Sequence, residues 1–250
     1  MDNHNLIRYK IFTDQSWLVA FTTTKDTLPR NSVRFTGEDE QEYLENRREL
    51  AALLDIDSEQ LVFPRQTHSS TVCKIDETPE NELKETDALV TNKAGLCLCV
   101  QTADCVPVLL ADPKKRVVAA VHAGWRGTVG KIVSQTIEKL QQDFGCNPDD
   151  LLAAVGPSIG PEVYEVGAEV VEAAHKAIPE ASKTLHLNFT GKYHFDLWGA
   201  NRLLLLDAGL KESNIEVLEA CSYRINEKYF SARRDGVYTG RMVTGIMLRE

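Results

Sequence analysis

The chain has 250 residues, 43% of them apolar and 26% charged, a balance that excludes a disordered tract, a collagen-like fibre and a coiled-coil rod. Its 28 Lys and Arg against 37 Asp and Glu leave a formal net charge of −9, which argues against broad electrostatic binding of nucleic acid or of an anionic membrane. The opening Met1-Asp2-Asn3-His4-Asn5 leads into no apolar run, and no stretch nears the ~18 apolar residues of a membrane span. A cytoplasmic protein is expected, its six cysteines serving as thiols or metal ligands rather than disulfides.

In chain order, residues 17–24 (WLVAFTTT) read as a strand. Residues 37–56 read as a helix whose apolar stripe runs through Tyr43, Leu44, Leu50, Ala51 and Leu54. A dense β region follows, with strands over 61–63, 71–75, 88–91, 96–100, 106–111 and 116–122. Asp112-Pro113-Lys114-Lys115 supplies the turn between the last two. The runs VPVLLA and RVVAAVH are apolar almost throughout, so their strands should be covered on both faces by further layers.

Residues 131–144 form an amphipathic pattern ended by Gly145, 163–178 one stopped by Pro179, and 197–208 one ended by Gly209. Strands are expected over 151–155, 215–218, 229–232 and 242–247. Helices and strands intersperse without a regular βαβ beat, which indicates an α+β fold of layered mixed sheets flanked by helices. No repeat or Pro/Gly/Ser linker divides the chain, so residues 1–250 are expected to form one domain.

Unusual polar residues stand at the ends of these apolar strands: His68 after LVFP, Cys105 between two buried-type strands, and His122 at the end of RVVAAVH. Loops held by a rigid sheet gather functional groups in this way. Two imidazoles and a thiolate make a tetrahedral zinc set with its fourth position open. Their spacing matches no zinc-finger pattern. Taken singly, each residue also reads as an ordinary hydrogen-bonded His or a small buried Cys. A metal-free alternative makes Cys105 a nucleophile and His122 its base.

Arg47 is a second anomaly, since the stripe from Tyr43 to Ala51 turns it inward, where a charge needs a partner. Its planar fork suits a phosphate; snorkelling or pairing with a core carboxylate is the structural alternative. Cys97 and Cys99 share one strand face and read as core, as do Cys73, Cys146 and Cys221, while His175, His186 and His194 carry no motif.

Taken together, RQTHSSTV, TDALVT, QTADCVPVLLAD, VHAGWRGTVGKIV, VGPSIGPEVYEVG and FSARRDGVYTGRM resemble the YfiH-type family. That family is also called the multicopper polyphenol oxidase or laccase-domain family and the peptidoglycan editing factor family. The match runs from about Asn46 to the C-terminus. The resemblance implies a zinc site at His68, Cys105 and His122, which would also be the catalytic residues, and a phosphate-contacting arginine at Arg47. It implies phosphorolysis of adenosine, inosine and methylthioadenosine, with adenosine deaminase activity beside it. An oxidase would need several copper ions, including a His-rich cluster that six histidines cannot easily supply, so copper is the less expected metal. Hydrolytic editing of cell-wall precursors at the same site stays open, as does the cysteine-hydrolase alternative. On this reading Arg126 and Arg233 help Arg47 with phosphate. Asp87 and Asp104 are candidate acid/base, substrate-binding or imidazole-orienting groups. The expected partners are a purine nucleoside and phosphate, with the chain a monomer or small homo-oligomer.

Overall fold

A computed structural model describes residues 6–28, 33–37 and 40–249, so Met1 to Asn5 and positions 38–39 of the expected first helix lie outside the described residues. The first strands are β1 (Leu6–Ile7) and β2 (Leu18–Thr23), followed by helix α1 (Glu40–Leu54). Then come β3 (Leu61–Val62), β4 (Val72–Lys74), β5 (Ala88–Thr91), β6 (Cys97–Thr102), β7 (Val106–Asp112) and β8 (Val117–Ala123). Helices α2 (Trp125–Val129) and α3 (Ile132–Phe144) precede β9 (Leu152–Val155), β10 (Glu165–Val166) and α4 (Ala168–Ala177). The chain closes with β11 (Leu185–Leu187), β12 (Tyr193–Phe195), α5 (Leu197–Asp207), β13 (Ile215–Val217), α6 (Ala232–Asp235) and β14 (Met242–Leu248).

Two mixed sheets dominate. One has the order β1, β2, β14, β6, β3; the other runs β13, β9, β7, β8, β5, β4, and β10, β12 and β11 make a small third sheet. Leu98, Val100 and Ile246 of the first large sheet meet Leu109, Val118 and Ala120 of the second in one buried cluster, so the two sheets stack face to face. The outer face of the first carries Cys97, Cys99 and Val243 under Leu50 and Ala51 of α1. The outer face of the second carries Val108, Leu110, Ala119 and Val121 under α3, α4 and α5, through residues such as Ile137, Ala174 and Leu205. The result is a helix, sheet, sheet, helix layering. Every residue of β7 and β8 is buried, as continuous apolarity requires. Each fully buried Leu or Val there contributes about 1.5–3 kcal/mol. Among the described residues no helix is long and apolar enough to cross a membrane.

The β7–β8 turn forms where expected: Asp112 Oδ1 accepts from the N–H groups of Lys114 and Lys115 at 2.8 and 2.9 Å. Gly145 ends α3 with φ 65°, a conformation that lets its N–H and that of Cys146 satisfy the last carbonyls. Two expectations are corrected. Residues 229–232 are not a strand, because Tyr229 and Phe230 bury themselves against Met242 as a loop and Ser231 caps α6 by accepting from Arg234 N–H. The helix expected from residue 163 begins at Ala168, since Glu165 and Val166 pair with β12 and Gly167 is the N-cap. The hairpin of β11 and β12 and the short α2 had no distinct periodicity to announce them.

Candidate metal centre and its cavity

His68, Cys105 and His122 come together at one end of the stacked sheets. After β3 the chain runs along the end of β6, held there by the Gln66 amide. Its nitrogen donates to the Gln101 carbonyl at 2.8 Å and its oxygen accepts from Gln101 N–H at 2.7 Å, as a ladder residue would. His68 follows with φ 61°, a left-handed conformation disfavoured for His. It is held there by Asp87, whose carboxylate accepts from the N–H groups of Thr67, His68 and Ser69 at 3.1, 3.1 and 2.8 Å and from Ser69 Oγ at 2.7 Å.

Cys105 sits in the turn that carries the chain from β6 in one sheet to β7 in the other. The preceding Asp104 has φ 97°, a strained value fixed from three sides. Its Oδ1 accepts from Ser222 Oγ at 2.6 Å, its Oδ2 from Arg233 N–H at 2.7 Å, and its carbonyl from Ile159 N–H at 2.9 Å. His122 lies in β8 opposite Pro107 of β7 and is almost fully buried. Its Nδ1 is 2.7 Å from Asp87 Oδ1, which leaves Nε2 to face Cys105 and His68. Gly124 completes the packing: a Cβ there would stand 2.9 Å from both Cys105 Sγ and His68 Cδ2.

The ligand atoms of the three residues all lie within 4.8 Å of one another, the one such group of three or more among the described residues. Cys105 Sγ is 3.6 Å from His68 Nε2, and the two imidazoles meet edge to face with centroids 4.9 Å apart. Zinc bonds of about 2.3 Å to sulfur and 2.0–2.1 Å to nitrogen span a tetrahedral edge of about 3.6 Å, so this donor set fits the ion. Burial opposes a charged Cys105, yet His122 and the hydrogen bonds of both histidines bring its pKa down to about 6. Burial likewise opposes a charged His122, while Cys105 and Asp87 push it up to about 9. Burial would raise Asp87, but the His122 hydrogen bond and charge, with Ser69, hold it at about 2. A thiolate at neutral pH is the form that ligates a metal. Cys105, His122 and Asp87 also have the connectivity of a nucleophile, its base and an orienting carboxylate.

A cavity of about 870 Å³ opens in front of the triad, lined among others by Arg34, Arg65, Arg233, Arg241, Tyr164 and Ile159. Its wall carries four arginines against two carboxylates, Glu82 and Asp104, and so is cationic on balance in a chain of net charge −9. Arg233 is fixed at its wall, with both Nη groups 3.3 Å from the Glu165 carbonyl and its guanidinium over the Tyr164 ring. Arg126 lies at the start of α2, exposed and stacked on Trp125, and is not a wall residue. Asp87 is fully buried behind His122, bonded to its Nδ1, and does not line the cavity. Arg47 is not brought to the triad. It lines an adjoining cavity of about 590 Å³, its guanidinium between the rings of Tyr43 and Phe63 and its Nε bonded to the Phe35 carbonyl at 2.8 Å. Arg65 and Glu82, ion-paired at 3.2 Å, line both cavities. Cys73, Cys97, Cys99, Cys146 and Cys221 are free thiols, all but the half-buried Cys73 within the core.

Sequence reasoning missed Arg34, Arg65, Arg241 and Tyr164. Arg65, Tyr164 and Arg241 lie within quoted motifs and Arg34 outside them, but only the fold turns them to the same space.

Residues 28–249 match the family described as multi-copper polyphenol oxidoreductase laccase. The purine nucleoside phosphorylase of Bacteroides thetaiotaomicron is 38% identical, over 98% of this chain and 97% of its own. Adenosine deaminase RL5, from an unknown prokaryotic organism, is 42% identical over 91% of this chain and 92% of its own. The crystal structure of the hypothetical protein YfiH from Bacillus licheniformis superposes with a TM-score of 0.90 at 31% identity, covering 98% of this chain and 97% of that one.

Proposed function

The chain belongs to the multi-copper polyphenol oxidoreductase laccase family, and from that premise we propose that it is a zinc enzyme that cleaves purine nucleosides with phosphate. The observation that carries the reading is the convergence of His68, Cys105 and His122 at the floor of an arginine-lined cavity. Relatives named purine nucleoside phosphorylase support the substrate class. In phosphorolysis a phosphate oxygen bonds to C1′ of the ribose as the C1′–N9 bond breaks, and the purine leaves with the electron pair and takes up a proton.

The chain's own residues bind and orient. The cationic wall, Arg233 among it, concentrates and holds phosphate, while the exposed part of the Tyr164 ring and the side chain of Ile159 offer apolar contact to the purine. Asp87 fixes His122 with Nε2 toward the cavity, and the Asp104 bonds to Ser222 and Arg233 hold the Cys105 turn. His68, Cys105 and His122 would hold a zinc ion, which would supply Lewis-acid chemistry in the cavity. The third donor, His68, distinguishes this arrangement from a plain Cys-His hydrolase pair, which needs no second imidazole at the thiol. An oxidase with several coppers finds no second group of donors among the described residues.

The relative named adenosine deaminase favours a second activity, removal of ammonia from adenosine by water in the same cavity. Product analysis on adenosine separates the two. Adenine and ribose 1-phosphate mark phosphorolysis, inosine and ammonia mark deamination, and intact adenosine with protein carrying stoichiometric zinc contradicts both.

A further inference from the structure

The cavity contains two arginines to which the sequence reading gave no role, Arg34 outside the quoted motifs and Arg241 within the last of them. Arg34 Nη2 and Arg241 Nη2 donate to the same atom, the Val237 carbonyl oxygen, at 2.8 and 2.9 Å. The Arg241 guanidinium and the backbone that carries Arg34 are both held in place. Buried Asn46 donates to the Arg34 carbonyl at 2.8 Å. Gln101 at the end of β6 accepts from Phe35 N–H at 2.8 Å and donates to Thr36 Oγ1 at 2.6 Å, which pins the segment carrying Arg34. Arg241 N–H bonds to the Val33 carbonyl at 2.8 Å, and its Nη1 to the carbonyls of Thr239 and Gly240.

The neighbours of this pair are carbonyl dipoles. Among the described residues the ion-paired arginines are Arg65, Arg202 and Arg234, and neither Arg34 nor Arg241 has a carboxylate partner. Burial first, and then the charge of Arg34, push the pKa of Arg241 down, while the charges of Cys105 and Asp104 act the other way, so Arg241 lies within electrostatic reach of the triad. Two like charges fixed on one neutral oxygen repel until an anion bridges them, and planar guanidinium forks are matched to phosphate oxygens.

We propose that Arg34 and Arg241 form the phosphoryl-anion subsite of the triad cavity, their remaining N–H groups gripping a dianionic phosphate from two sides. The subsite accepts either inorganic phosphate or a phosphate ester carried by the substrate. It rests on the phosphorylase reading only for what the anion does there; the binding itself is independent of turnover.

Isothermal titration calorimetry of the purified, zinc-analysed protein with inorganic phosphate, and separately with inosine and inosine 5′-monophosphate, tests it against Arg34→Gln and Arg241→Gln. Loss of one charge-assisted pair of bonds is expected to weaken phosphate binding about tenfold or more, with zinc content unchanged. If wild type takes the monophosphate but not free phosphate and the variants lose it, the anion is an ester of the substrate. Wild-type affinity for both anions in the variants overturns the subsite, as does failure of wild type to bind either. Arg241→Gln removes several backbone contacts, so Arg34→Gln alone, which sheds one bond to a carbonyl, decides the matter if the other does not fold. Phosphate held by the pair without any phosphate-dependent release of base leaves the subsite standing and removes the phosphorylase reading.

Discussion

Asp87 Oδ1 and His122 Nδ1 lie 2.7 Å apart in a fully buried contact, and the same carboxylate collects three successive backbone N–H groups from the loop that carries His68. One side chain therefore orients two of the three candidate metal ligands, one directly and one through the backbone. Asp87→Asn keeps the shape but loses the charge and turns one acceptor into a donor. Zinc affinity is expected to fall ~10–100-fold, as for other residues that orient a metal-bound imidazole. Competition with a chromogenic chelator reads this out, and equal affinity in both proteins refutes the orienting role.

The same carboxylate makes stability depend on acid. Its pKa falls from 3.8 to about 2 on folding, a depressed value, so its contribution is present above the unfolded pKa and is lost as pH drops through the folded one. At neutral pH it is worth about 2 kcal/mol. Urea unfolding of the metal-free protein should show this increment intact at pH 5 and eroding between about pH 4 and pH 2, with a shallower decline in Asp87→Asn. Parallel decline in the two proteins would falsify the assignment.

Gly124 tests the packing around the triad without touching a ligand. Its φ of −67° and ψ of 172° suit alanine, so backbone strain is not at issue. The added Cβ meets Cys105 Sγ and His68 Cδ2 at 2.9 Å and must push them apart. Gly124→Ala is expected to keep the far-ultraviolet circular dichroism of the wild type while losing at least about tenfold in zinc affinity. Full zinc retention means the two side chains give way freely, contrary to this packing.

Arg47 should matter for stability rather than for the metal. Its guanidinium fills the space between Tyr43 and Phe63 and ties α1 to the Phe35 carbonyl. Arg47→Ala is expected to cost about 1–2 kcal/mol in denaturant unfolding and leave zinc content as it was. Unchanged stability contradicts the packing role, and loss of zinc would connect the two cavities more tightly than their shared Arg65–Glu82 wall implies.

These contrasts show how far the sequence reaches. The apolar runs of β7 and β8 announced strands buried on both faces, and His68, Cys105 and His122 were conspicuous because each interrupts such a run at its end. Periodicity also turned Arg47 inward, but it says nothing of which cavity a helix face borders. Arg34 and Arg241 stood at opposite ends of the chain, the first outside every quoted motif and the second near the end of the last, and only the β6–β14 pairing and the Gln101 clamp put them on one carbonyl. Tyr229 and Phe230 misled as a strand because a pair of buried aromatics has the same composition whether it packs in a loop or in a sheet.

The most direct test of the central claim is the initial rate of hypoxanthine release from inosine as phosphate is raised from zero, for wild type and for Cys105→Ser. The triad account predicts release that requires and saturates with phosphate in the wild type. In a Cys105→Ser protein that remains folded but has lost its zinc, release should fall by at least about a hundredfold. Release that is independent of phosphate, or that survives undiminished in Cys105→Ser, contradicts it.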